Sequence, residues 1–153
     1  MFKKVRELFL VQVRQGATPE GLALTCAVGF TIAVFPVLGV TTVLCLLVGQ
    51  IMRLNQPVLQ TVNYALAPLQ LLMIPLYLKL GAWIFQVPAV SINPLTMVEE
   101  FMDSPQTFLQ EYWVASLQSL VAWAVVTPVA TVGVYFVTRT VFQGYQKLRK
   151  GEG

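Results

Sequence analysis

Residues 21–52 read GLALTCAVGFTIAVFPVLGVTTVLCLLVGQIM, without one charged side chain. As a single straight helix this run would be about 48 Å long. The hydrocarbon core of a bilayer is only about 30 Å thick. At the middle of the run stands Phe35-Pro36-Val37-Leu38-Gly39. Pro36 removes a backbone donor and crowds the preceding turn, and Gly39 permits a sharp bend. Two readings follow: one kinked, tilted span, or two half-helices folded into a re-entrant hairpin. Broken backbone at membrane depth is tolerated where protein or a wet cavity covers it.

Charge placement bears on the choice. The run ends in Arg53-Leu54-Asn55-Gln56-Pro57, which reads as a turn. Two more uncharged stretches follow, Leu54–Leu78 and Tyr112–Thr138, each long enough to cross a bilayer. Lys3, Lys4, Arg6 and Arg14 lie before them, and Arg139, Lys147, Arg149 and Lys150 after. The acids Glu99, Glu100, Asp103 and Glu111 lie between, in what reads as a solvated loop. The positive-inside rule then puts both termini in the cytoplasm and Val90–Glu111 outside. A hairpin returns Arg53 to the cytoplasmic side, and two further spans bring the chain back. A single kinked span leaves one basic end outside, so the charges favour the hairpin.

The expected fold is an all-α integral membrane protein. Residues 1–16 form a basic amphipathic helix in the membrane interface, since Phe2, Val5, Phe9 and Val13 recur at helical spacing. Residues 17–145 form the membrane domain: a broken hairpin over 21–52, a broken span over 57–80, an outer-surface segment over 81–111 and a span over 112–139. A basic cytoplasmic tail covers 140–153. Thr18-Pro19-Glu20 reads as a helix start. Pro36, Gly39, Pro68 and Pro75 are the expected helix breaks. Ala130 and Gly133 offer a small-residue face for close helix packing.

Composition excludes most chemistry. The 153 residues are 56% hydrophobic and 11% charged, with no histidine and a net charge of +3. Soluble domains carry about 25% charged residues. The absence of histidine removes imidazole acid–base work and Ser–His nucleophiles, and no phosphate-binding glycine loop occurs. No enzyme, metal or cofactor is expected. Cys26 and Cys45 read as small packing residues. The basic ends flank apolar segments, which suits anionic lipid rather than nucleic acid.

Arg53 and Lys79 are the only charges between Gly21 and Val98. With Asn55, Asn63 and a helix opening near Pro57, they are candidates to hold a phosphate. The competing reading is that both cations snorkel to headgroups. On the hairpin topology Arg53 and Lys79 lie at opposite faces, as two stations on a path across the membrane. Thr31, Thr41, Thr42, Gln60, Thr61, Asn63 and Gln70 also punctuate the apolar runs. Asn63 and Gln70 facing Thr41 and Thr42 across the hairpin would serve a site, but the favoured reading is interhelical hydrogen bonds.

The series Thr18-Pro19, Ala23, Ala27, Gly29, Pro36, Gly39, Thr41, Arg53, Asn55, Pro57, Pro75, Tyr77 and Gly81 resembles the bacterial inner-membrane domain-of-unknown-function 2062 family. The order fits over about Gly16–Phe85, with Trp123, Pro128 and the basic tail fitting more loosely. Where that family is expected to carry Asn-Pro, this chain has Ala67-Pro68, with Asn63 one turn earlier. The resemblance implies a small bacterial inner-membrane protein and no particular activity. Some members are joined to glycosyltransferase-like domains, which implies envelope lipid or polysaccharide work. The expected function is non-enzymatic: binding or moving an anionic lipid in envelope biogenesis, as a homo-oligomer. The alternative is a membrane scaffold for an envelope-synthesis enzyme.

Overall fold

The computed structural model describes residues 18–151. The helix expected over 1–16 lies outside them. The described residues form six helices and no strand: α1 (Pro19–Ala33), α2 (Thr41–Ile51), α3 (Gln56–Ala65), α4 (Ala67–Phe85), α5 (Pro94–Asp103) and α6 (Pro105–Gly151). The all-α expectation is met.

Local chemistry sets the boundaries. The Thr18 hydroxyl accepts from the Gly21 N–H at 3.0 Å, with Pro19 in the first turn of α1. The uncharged run then breaks over residues 34–40, where Pro36 sits and Gly39 adopts φ +84°. The result is two half-helices of 15 and 11 residues. α2 stops in a Schellman pattern: Leu54 N–H donates to Gly49 O at 2.8 Å and Arg53 N–H to Gln50 O at 3.3 Å. Asn55 then caps α3, accepting from Val58 N–H at 3.2 Å.

The half-helices reverse direction. The Gln60 amide donates to Thr42 O at 3.3 Å, and the Gln56 amide to Leu46 O at 3.1 Å, so α2 runs antiparallel to α3. α1 runs parallel to α3, since Gly29 sits on Leu59 and Val62 while Phe35 meets Gln70 at the start of α4. Arg53 therefore returns to the end of the bundle where α1 begins. Ile32, Cys45 and Leu59 bury one another at the centre of these three helices.

α3 and α4 are divided at Leu66, with Pro68 in the first turn of α4. Pro75 lies inside α4, which continues through it; of the four expected breaks, this one is not a break. α4, with 19 residues, and Pro105–Leu148 of α6 are long and apolar enough to cross a membrane. α6 runs 47 residues, about 70 Å, through Pro128 and through most of the segment expected as a tail. The central acids are helical rather than looped: Glu99, Glu100 and Asp103 on α5, Glu111 on α6. Asn93 caps α5 by accepting from Leu95 N–H at 3.0 Å. The Tyr112 hydroxyl donates to Ser91 O at 2.7 Å and to Glu100 Oε2 at 3.2 Å, tying this segment to α6.

α6 is the spine against which α1 and α4 pack. The seams are made of small residues: Ala23, Ala27 and Ala33 on α1, Ala82 on α4, and Ala115, Ser119 and Ala122 on α6. Gly133 does not take part in a seam among the described residues. A Cβ on Gly133 would meet open space among the described residues. The large apolar side chains point outward instead, among them Leu47, Ile51, Leu72, Trp83, Val129 and Val137.

Candidate functional site

The four residues selected for phosphate binding are not gathered into one site. Arg53 is exposed at the end of α2, with φ 53°. Asn55 commits its side-chain oxygen to capping α3. Asn63 is 4% exposed, inside the bundle on α3. Lys79 is exposed on α4, two residues before Gly81, which rests on Gln118 of α6. The Arg53 end of the bundle is the end of Glu20, whose carboxylate stands 3.7 Å from Arg139. Levels 139 and 118 of α6 are about 30 Å apart, so Arg53 and Lys79 occupy opposite ends.

The buried amides act as connectors. Gln70 does not face Thr41 and Thr42. Its Nε2 donates to Phe35 O at 2.9 Å and Val37 O at 3.4 Å, satisfying carbonyls released where α1 breaks. Thr42 is met instead by Gln60 and by the Tyr64 hydroxyl at 3.4 Å.

The three helices α1, α2 and α6 enclose a groove of about 690 Å³, within the usual range of small-molecule sites. Val28 and Ile32 of α1, Leu44 and Val48 of α2, and Trp123 and Val132 of α6 give it an apolar lining. Phe35 and Trp123 meet edge to face at 5.0 Å. The Trp123 Nε1–H donates to Thr31 O at 3.2 Å, and the Thr31 and Thr131 hydroxyls share a 2.6 Å hydrogen bond. These contacts fix one wall. Thr127, also lining the groove, keeps its buried hydroxyl without a partner among the described residues. Sequence reasoning missed this groove because no linear spacing sets residues 28–48 against 123–132. The signal available was Thr127, Pro128 and Thr131 on neighbouring positions of one helix.

Charged groups lie beyond each end. At the Glu20 end, the Gln143 amide donates to Glu20 Oε1 at 3.0 Å. A backbone N–H at the start of α1, then Gln143 and Arg139, hold the Glu20 carboxyl below the ordinary range. At the other end a second cleft of about 500 Å³ is lined by residues 87–91, Glu100, Glu111 and Gln118.

The chain belongs to the bacterial family described as an uncharacterized protein conserved in bacteria (DUF2062), whose model matches residues 2–151. This is the family that the signposts from Thr18 to Gly81 resemble. No curated protein and no solved structure matches the chain.

Proposed function

We propose that this protein is a multi-pass inner-membrane protein that binds, or passes across the bilayer, an anionic lipid of the envelope. The groove between α1, α2 and α6 carries the reading: its lining is apolar and it opens to a surface that is itself apolar. Large side chains such as Ile51, 80% exposed, cover that surface, where a water-soluble protein would limit such patches. α4 and α6 supply the spans. α1 and α2, at 15 and 11 residues, reach about 22 and 16 Å, too short to cross singly. They form the re-entrant hairpin, and the Gln70 bonds cover its broken backbone as burial in lipid requires.

In this reading the lipid chain lies in the groove and the headgroup phosphate meets Arg53. Arg53 follows groove-lining Val48 by five residues, just past the end of α2 at Ile51. Its fork of donors suits a phosphate. Asn55 stands at this end as the cap of α3, Asn63 lies buried near the far end of the same helix, and Lys79 marks a second station toward the opposite face. Both termini are cytoplasmic.

The test is native mass spectrometry of the protein taken from its own membrane with minimal delipidation. A stoichiometric anionic lipid on a defined homo-oligomer, lost in Arg53→Ala, is expected. A lipid-free oligomer holding an envelope-synthesis enzyme would overturn this reading in favour of the scaffold.

A further inference from the structure

We propose that α2 is a clasp: it leaves α3 and closes toward α6 over a lipid chain in the groove. The inference rests on the lipid reading above and adds how the groove holds its ligand.

α2 is the least committed wall. α6 packs on α1, α4 and α5, whereas α2 packs on α1 and α3. The α1–α6 side is fixed by the Thr31–Thr131 bond and by the Trp123 indole on the Thr31 carbonyl. α2 gives the groove Leu44 and Val48, and turns Val43, Leu47 and Ile51 outward, each more than half exposed.

Its hold on α3 is poorly satisfied. Cys45 packs on Leu59 at the centre of the seam. Around it, the Gln56 amide donates to Leu46 O at 3.1 Å and the Gln60 amide to Thr42 O at 3.3 Å. Both carbonyls lie inside α2, where each already accepts from the N–H four residues on. The side-chain oxygens of Gln56 and Gln60 are sealed from solvent with no partner among the described residues. They stand four positions apart, on one face of α3. Buried, unpaired amide oxygens cost free energy, so two polar groups gain when the seam parts. Gln56 follows the Asn55 cap at the Arg53 end, the end this reading places at the cytoplasmic surface, where water can meet them.

The ends of α2 allow the movement. Gly39, φ +84°, and Arg53, φ 53°, bracket it, and hinge motion concentrates in such element-terminal residues. Before Gly39 the chain is pinned, since the Gln70 amide holds Phe35 O and Val37 O to the start of α4. After Arg53, Asn55 fixes the start of α3. Leu44 lies two positions from Thr42, on the opposed side of the helix. Movement off Gln60 therefore carries Leu44 and Val48 into the groove. A bound chain gives these side chains a surface to close on, and that added contact favours the closed arrangement.

The experiment places Thr42→Cys and Tyr64→Cys in a Cys26→Ala, Cys45→Ala background. The native hydroxyls stand 3.4 Å apart across the seam, so a short bis-methanethiosulfonate bridges the two positions and a reductant releases them. The full chain is loaded with phosphatidylglycerol, mixed with excess deuterated phosphatidylglycerol and followed by native mass spectrometry. The bridged protein is expected to exchange its lipid about tenfold faster than the same sample after reduction. Gln60→Met removes one unpaired oxygen and keeps the length of the side chain. It is expected to exchange lipid severalfold faster than the parent while melting no lower. Equal or slower exchange in the bridged protein or in Gln60→Met, or a lower melting point for Gln60→Met, overturns the clasp and leaves the lipid reading standing. No phosphatidylglycerol bound before or after reduction overturns both.

Discussion

Arg53 is the stop of α2 and, in the proposed function, the partner of the lipid phosphate. It occupies the left-handed position that ends α2, with φ 53°, a place where helices ordinarily use glycine. An L-residue pays about 1–2 kcal/mol there, and a strained residue at a ligand's expected entry is a pointer to function. Arg53→Gly relieves the strain and removes the charge together. Thermal unfolding is expected to show stability unchanged or raised by up to about 1 kcal/mol, after the added freedom of the unfolded chain. Lipid retention is expected to fall as far as in Arg53→Ala. If Arg53→Gly melts higher and keeps its lipid, Arg53 is a helix stop and nothing more. At this scale the sequence was legible for part of the local chemistry. Thr18 caps a helix whose free N–H lies three residues away, as its place before Pro19 implies, whereas Asn55, a phosphate candidate in the sequence, spends its oxygen on capping α3. The groove was not legible, because it sets residues 28–48 against 123–132, some 80 residues later in the chain.

Among elements, the packing of α4 on α6 turns on one glycine. A Cβ on Gly81 would stand 2.7 Å from the backbone carbonyl of Gln118, an atom that cannot rotate away. Gly81→Ala forces the two helices apart and is expected to cost about 1–3 kcal/mol. Gly133→Ala meets no neighbour among the described residues, and is expected to gain up to about 1 kcal/mol from helix propensity. Thermal unfolding of both variants in one detergent checks the contrast; equal melting of the two would remove the seam argument. The sequence showed that small residues matter but not which face uses them. Gly81 and Gly133 sit in similar apolar surroundings, and only the crossing of α4 over α6 distinguishes them. Proline was likewise half legible. Pro36 acts together with Gly39 and breaks the chain, whereas Pro75 stands alone in a 19-residue helix that continues through it.

For the whole molecule, the arrangement of ends is the strongest consequence of the α1–break–α2 reversal. Two short helices carry the chain in and back, so Arg53 shares an end with Glu20, Arg139 and Gln143. Ser104, between α5 and α6, lies at the other. Charge patterning pointed to this because basic groups tend to remain on the cytoplasmic side, and an uncharged run too long for one span still has to return Arg53 there. The amphipathic pattern had no means of showing the groove, which exists only once the reversal sets α2 beside α6. Single cysteines decide the topology in a Cys26→Ala, Cys45→Ala background. Arg53→Cys, Ser104→Cys and Gln143→Cys are treated in spheroplasts with a maleimide that cannot cross the membrane. Ser104→Cys is expected to label at once, and the other two only after permeabilisation. Labelling of Arg53→Cys from outside, with Gln143→Cys protected, would mean that residues 21–52 cross once as a kinked span. The groove would then run across the bilayer with Arg53 at its outer mouth, and the lipid headgroup would have to enter from the opposite leaflet.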